Sequence, residues 1–121
     1  MYKERVEELT KYFEKDDLVI EMINDTINLA NDYVNKVVTM ENSINILRLR
    51  LEPYDYRQRV QELDNNRRLT HNALIVSIKA LNRVCSMENL EPLFKGNIED
   101  RYEIADWAGE LVNEIFKNRT R

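Results

Sequence analysis

The residues best equipped for chemistry lie in one stretch, Asp64-Asn65-Asn66-Arg67-Arg68-Leu69-Thr70-His71-Asn72, which includes the only histidine of the chain. Arg67 and His71 are four residues apart and Asp64 precedes Arg67 by three, so on a helix the three share a face. In such a group an arginine can hold an anion while a histidine moves a proton. A single histidine with no second His or Cys beside it builds neither a metal centre nor a nucleophile pair. The same residues therefore read equally as a structural polar layer. A counterpart for that layer is at hand: Asn24, Asn28, Asn31 and Asn35 recur in steps of four, three and four and are flanked by Asp25 and Asp32. The expectation is a register-setting network joining Arg67 and His71 to Asp25 or Asp32, because mispaired buried polar groups are costly. The bland alternative is a stripe that faces solvent.

Carboxylate pairs offer a second chemistry. Glu4 with Glu7 and Glu103 with Asp106 are each three apart, a spacing that projects two carboxylates from one helical face towards a magnesium ion. These strings resemble the Glu-x-x-Glu and Glu-x-x-Asp pairs of all-α nucleotide pyrophosphatases, which makes magnesium-dependent nucleotide hydrolysis the enzymatic alternative. Acidic helices generate the same strings on solvated faces. Helical ribonucleases of the Arg-and-His type place four to six residues between the two. Three separate Arg67 from His71 here, so that resemblance fails at its defining spacing.

The formal net charge of −4 conceals an asymmetry. Residues 1–47 carry five basic against ten acidic side chains, residues 48–83 eight against four, and residues 84–121 five against eight. The basic middle is expected to pack between the acidic flanks with charges paired at the bundle edges. Arg48, Arg50, Arg57, Arg59, Arg67 and Arg68 would be the basis of nucleic-acid binding, but an acidic whole disfavours it.

The elements that position these residues are helical. Two Gly and two Pro among 121 residues leave few turns, and the length suits one domain, 1–121, around one core. Residues 2–14 place Val6, Leu9, Tyr12 and Phe13 on one face, and Asp16 or Asp17 can cap the next helix. Ile20, Ile23, Ile27, Ala30, Val34 and Val37 then follow a bundle register that continues to Ile44, Leu47 and Leu51. Unbroken, that helix would be about 48 Å long, against a radius of gyration near 14 Å for a compact chain of this size. Either it breaks between Thr39 and Ser43 or the bundle is elongated. Pro53 can open the next helix, through Tyr56, Val60, Leu63, Arg67, Thr70, Leu74, Ile78, Leu81 and Cys85, apolar at its ends and polar at its centre. A loop across residues 86–97 precedes a last helix expected to begin at Asn97 or Ile98 and to bury Tyr102, Ala105, Ala108, Leu111, Val112, Ile115 and Phe116. The fold class is all-α, a bundle of four to five helices.

The segment Leu63-Asp64-Asn65-Asn66-Arg67-Arg68-Leu69-Thr70-His71-Asn72-Ala73-Leu74-Ile75, running on to Leu81-Asn82-Arg83, resembles a stretch in small uncharacterised all-helical proteins of Gram-positive bacteria. The resemblance implies an all-α fold with no assigned activity. It marks Arg67, Arg68, His71, Asn72 and Asn82 as the first residues to substitute.

Cys85 is the only cysteine, so no intramolecular disulfide forms and a reducing compartment is expected. No apolar run approaches the length of a membrane span, and the charged start Met1-Tyr2-Lys3-Glu4-Arg5 does not read as an export signal. The functional expectation is a cytoplasmic, non-enzymatic helical interaction or regulatory protein. It has a protein partner or a second copy of itself as ligand, and no cofactor or metal.

Overall fold

A computed structural model describes residues 2–116. Four helices follow in order: α1 (Tyr2–Tyr12), α2 (Asp17–Arg50), α3 (Pro53–Met87) and α4 (Arg101–Ile115). Among the described residues there is no strand. The helix starts are chemically marked. The Asp16 carboxylate accepts the Val19 N–H at 3.2 Å, Pro53 occupies the first turn of α3, and Asp100 accepts the N–H groups of Tyr102 and Glu103. Asp100 thus caps α4 from outside, and the helix begins a turn later than Asn97 or Ile98, where the sequence suggested it would. At the end of α3 the chain turns through Asn89 at φ 58°, and the Leu90 N–H reaches back to the Cys85 carbonyl at 2.8 Å. Asparagine tolerates this left-handed position better than most residues.

Of the two outcomes open for the second helix, the structure takes the elongated one. α2 runs through Thr39–Ser43 without a break, and at roughly 1.5 Å per residue α2 and α3 are each about 50 Å long. They form an antiparallel hairpin closed by Leu51 and Glu52. α4 packs chiefly on α2 and more lightly on α1, whereas the Leu93–Phe94 segment of the loop fills the space between α4 and α3. There Asn82 of α3 donates to the Phe94 carbonyl at 3.3 Å, and the Phe94 ring meets Trp107 of α4 edge-on at 5.3 Å.

The core occupies only one end of the hairpin. Ile23, Ile27, Ala30 and Tyr33 of α2 and Leu74, Ile78, Leu81 and Cys85 of α3 are buried with Leu9 and Phe13, and with Ile104, Trp107, Ala108, Leu111 and Val112 of α4. Thr26, the buried polar side chain here, bonds the Met22 carbonyl at 2.8 Å and the Ser77 hydroxyl at 2.6 Å, so nothing in it is left unsatisfied. Past Tyr33 on α2 and before Leu74 on α3 no residue is buried. The seam of Val34, Val37, Ile44 and Leu47 against Tyr56, Val60 and Leu63 is partly covered. The hairpin therefore projects from a four-helix base as a two-helix arm, about 26 Å beyond Tyr33.

Two packing expectations are corrected. Tyr102 is 68% exposed, because α4 starts at Arg101 and turns this ring outward, where the Arg101 guanidinium lies 5.0 Å above it. Among the described residues, the basic middle is also not held by charge pairing between segments. The ion pairs of Arg59 with Glu62 and of Arg67 and Arg68 with Asp64 all stay within α3.

Candidate functional site

The polar cluster of α3 sits at the root of the arm, where the base ends. Asp64 is a two-sided clamp: one carboxylate oxygen takes Arg67 at 3.0 Å and the other takes the Arg68 Nε at 3.0 Å. The spacings of three and four residues bring all three heads to one side of the helix. Arg67 is largely covered, at 13% exposure, whereas Arg68 points to solvent. One turn further, the His71 ring lies 5.4 Å from that of Tyr33 on α2, and its Nε2 is buried without a hydrogen-bond partner. Burial holds its pKa below the usual value, helped by the positive charges of Arg67 and of Arg101 at the start of α4. The same burial and charges favour the neutral imidazole.

The expected bridge from this cluster to α2 does not form. Among the described residues no hydrogen bond or ion pair joins Arg67 or His71 to Asp25 or Asp32, and both aspartates are exposed. The reason is rotational. At this level α2 turns Ala30, Tyr33, Val34 and Val37 inward, which leaves Asn24, Asn28 and Asn35 exposed and Asn31 only partly covered. The solvent-facing alternative describes the stripe within this chain. Asn72 is exposed, and Asn82 is a brace to the loop whose Oδ1 is buried and unpartnered.

The two carboxylate pairs do not meet. Glu4 and Glu7 are exposed on α1, and Glu103 accepts the backbone N–H of Asn97, closing the loop onto α4. Among the described residues no group of three or more His, Cys, Asp or Glu side chains could hold a metal ion. Glu103 and Asp106 do line an open cavity of about 520 Å³ with Tyr2, Arg5, Phe94 and Trp107. Of its charged walls, Arg5 binds Glu8 at 3.0 Å and the Glu91 carbonyl and Lys95 binds Glu91 at 2.7 Å, whereas the buried Arg5 Nε and Trp107 Nε1 have no hydrogen-bond partner. Gly96 belongs to the same closure, since a Cβ there would stand 2.9 Å from the Glu103 carboxylate and 3.0 Å from the Phe94 ring. Cys85 is fully buried and its thiol is pushed up by burial, which suits a packing residue rather than a nucleophile.

What single-residue reasoning missed is the arm. A second cavity of about 430 Å³ opens on it between Met40, Tyr56, Val60 and Asp64. Large apolar side chains stand exposed along it: Val38, Ile46, Leu49, Tyr54 and Leu69. At its tip are Arg48, stacked 5.9 Å from the Tyr56 ring, and Arg50, Arg57 and Arg59. The signal was present as a helical pattern too long for a compact globule.

The whole chain, residues 1–121, matches the family described as protein of unknown function (DUF3232). The chain belongs to the DUF3232 family. The uncharacterised all-helical family expected from residues 63–83 is thereby shown and extends over the full length. A search of curated proteins finds no match for this DUF3232 chain. No helix among its described residues is long and apolar enough to cross a membrane.

Proposed function

We propose that this DUF3232 domain is a non-enzymatic helical interaction protein, an accessory or regulatory factor, and that its two-helix arm is the docking surface. The observation that carries the reading is the arm itself. A helix pair about 26 Å long with no fully buried residue, and with Val38, Ile46, Leu49, Tyr54 and Leu69 exposed, is poorly justified by the stability of this chain alone. Isolated two-helix contacts bury too little to stand without a further layer. The polar root is consistent with the same view: Asp64 pairs with Arg67 and Arg68 within α3, and His71 packs against Tyr33 of α2. The single buried Cys85 fits a reducing, cytoplasmic setting.

The test is capture of proteins from the native host by the immobilised chain, compared with a Leu49→Glu/Tyr54→Glu double variant. Both side chains are exposed at the tip, so the base should keep its helicity and thermal transition while the captured proteins are lost. Equal capture by both chains would refute the arm as the docking surface. Strong, salt-sensitive retention of RNA or DNA would instead favour the tip arginines as a nucleic-acid surface.

A further inference from the structure

The cavity of about 520 Å³ lies on the base, away from the arm, and has the size of a small-molecule site. Its apolar wall is aromatic: the rings of Tyr2 and Phe94 both meet that of Trp107 edge-on, with centroids 6.4 and 5.3 Å apart. Its acidic wall is one face of α4, where Glu103, Asp106 and Glu110 follow in steps of three and four. The charges around it do not cancel. The two cations of the lining, Arg5 and Lys95, are each paired with a carboxylate outside it, Glu8 and Glu91. Glu103 takes a backbone N–H, and among the described residues no hydrogen bond or ion pair engages Asp106. A surplus of negative charge therefore stands beside three rings. The Tyr2 phenol registers it, since burial first and then the Glu110 carboxylate push its pKa up. A further feature is independent of the acids. Trp107 is only 4% exposed, and its Nε1–H is buried without an acceptor, as is the Arg5 Nε–H. Buried donors are ordinarily satisfied, so the wall holds two N–H groups for an occupant to complete.

We infer that this cavity binds a small aromatic ammonium compound that also carries a neutral hydrogen-bond acceptor such as a carbonyl. Tyr2, Phe94 and Trp107 take the ring, and Asp106 and Glu110 take the ammonium, which rings of this kind also attract. Trp107 Nε1 and Arg5 Nε donate to the acceptor. Each part of the wall excludes a simpler occupant. A carboxylate in place of the ammonium would be set against the acids of α4. A neutral aromatic molecule would leave those acids unused, and an aliphatic amine would leave the rings unused. Among the described residues no acids are grouped to hold a metal ion, so the cation that suits them is an organic one. The inference goes beyond the docking role of the arm and does not depend on it.

Trp107 is the only tryptophan of the chain, so a single indole N–H resonance in a proton–nitrogen correlation spectrum reports on the site. The probe is L-phenylalaninamide, which has the ring, the ammonium and the carbonyl. It should move the indole resonance downfield, as an N–H moves on gaining an acceptor, together with the backbone amides of residues 92–96 and 103–110. N-acetyl-L-phenylalanine, which is an anion, and glycinamide, which has no ring, should each bind about tenfold more weakly or worse. Asp106→Asn should lower the affinity for L-phenylalaninamide about fivefold. Its thermal transition should be unchanged, since Asp106 is exposed. The Leu49→Glu/Tyr54→Glu chain should bind the probe as the unsubstituted chain does, whatever becomes of its protein partners. No shift at millimolar L-phenylalaninamide, equal binding of N-acetyl-L-phenylalanine, or an unchanged affinity in Asp106→Asn would each overturn the site. An indole resonance that stays in place while the loop amides move would overturn the requirement for an acceptor.

Discussion

Replacing Ile78 and Ile44 by alanine, one at a time, separates base from arm. Ile78 is 1% exposed and sits in the shared core, so its truncation removes about three methylene-equivalents of burial and leaves a cavity. The expected cost is about 2–5 kcal/mol of global stability, which at this chain length lowers the thermal midpoint by roughly 10 °C. Ile44 is only partly covered, in a seam of two helices. Its truncation forfeits about half as much transfer energy, roughly 1 kcal/mol, and neighbouring side chains can close over the gap. That loss should also appear in a different place. Because no core residue lies beyond Tyr33 or before Leu74, the arm can open while the base stays folded. Hydrogen exchange followed by mass spectrometry should show faster exchange in residues 38–66 of Ile44→Ala with base amides unchanged, whereas Ile78→Ala should accelerate exchange in both. If Ile44→Ala lowers the thermal midpoint as far as Ile78→Ala does, or if arm and base amides exchange together in the unsubstituted chain, the division into a cooperative base and a separately opening arm is wrong.

Two further substitutions test the base and the arm root. Gly96→Ala should destabilise by about 1–3 kcal/mol, since its Cβ collides with the Glu103 carboxylate and the Phe94 ring. Gly109→Ala, with nothing within 4 Å in the middle of α4, should stabilise by about 0.5–1 kcal/mol, and thermal denaturation reads both. His71 has its pKa lowered in the folded chain by burial and by the Arg67 and Arg101 charges, so the unfolded chain binds more protons just below pH 6.5. Stability should be complete above that pH and fall as the pH drops through it. His71→Gln should flatten this part of a urea-denaturation profile, and an unchanged slope would show that another group titrates there.

The helices were legible because their signals are local. The apolar steps of α2 and α4, the cap at Asp16, and Pro53 all act within a few residues of where they stand. The start of α4 was misplaced because Asn97, Ile98 and Asp100 are all plausible near a helix entrance. The Asp100 carboxylate decides by accepting two N–H groups at once. The site was harder to read. Spacing correctly put Asp64, Arg67 and His71 on one face, but spacing along α3 carries no information on the rotation of α2. That rotation follows from the apolar seam of Ala30, Val34 and Val37, and it turned Asp25 and Asp32 away. The loop wedge of Leu93 and Phe94 was not foreseen, since a short apolar pair between Pro92 and Gly96 has no periodicity to betray its burial.

The shared core has a kinetic corollary. The α2–α3 hairpin can zip from the Leu51–Glu52 reversal through contacts close in sequence, whereas the base needs Leu9 and Phe13 from one end of the chain and Ile104 to Val112 from the other. The Lys3 N–H to Glu114 contact at 3.2 Å spans 111 positions. Low contact order in the arm and high contact order in the base predict a fast phase followed by a slower docking step. During synthesis the apolar face of Ile23, Ile27 and Ile78 is complete well before α4 has emerged to cover it. In that interval the nascent hairpin is sticky, and a chaperone or a neighbouring nascent copy has its opportunity.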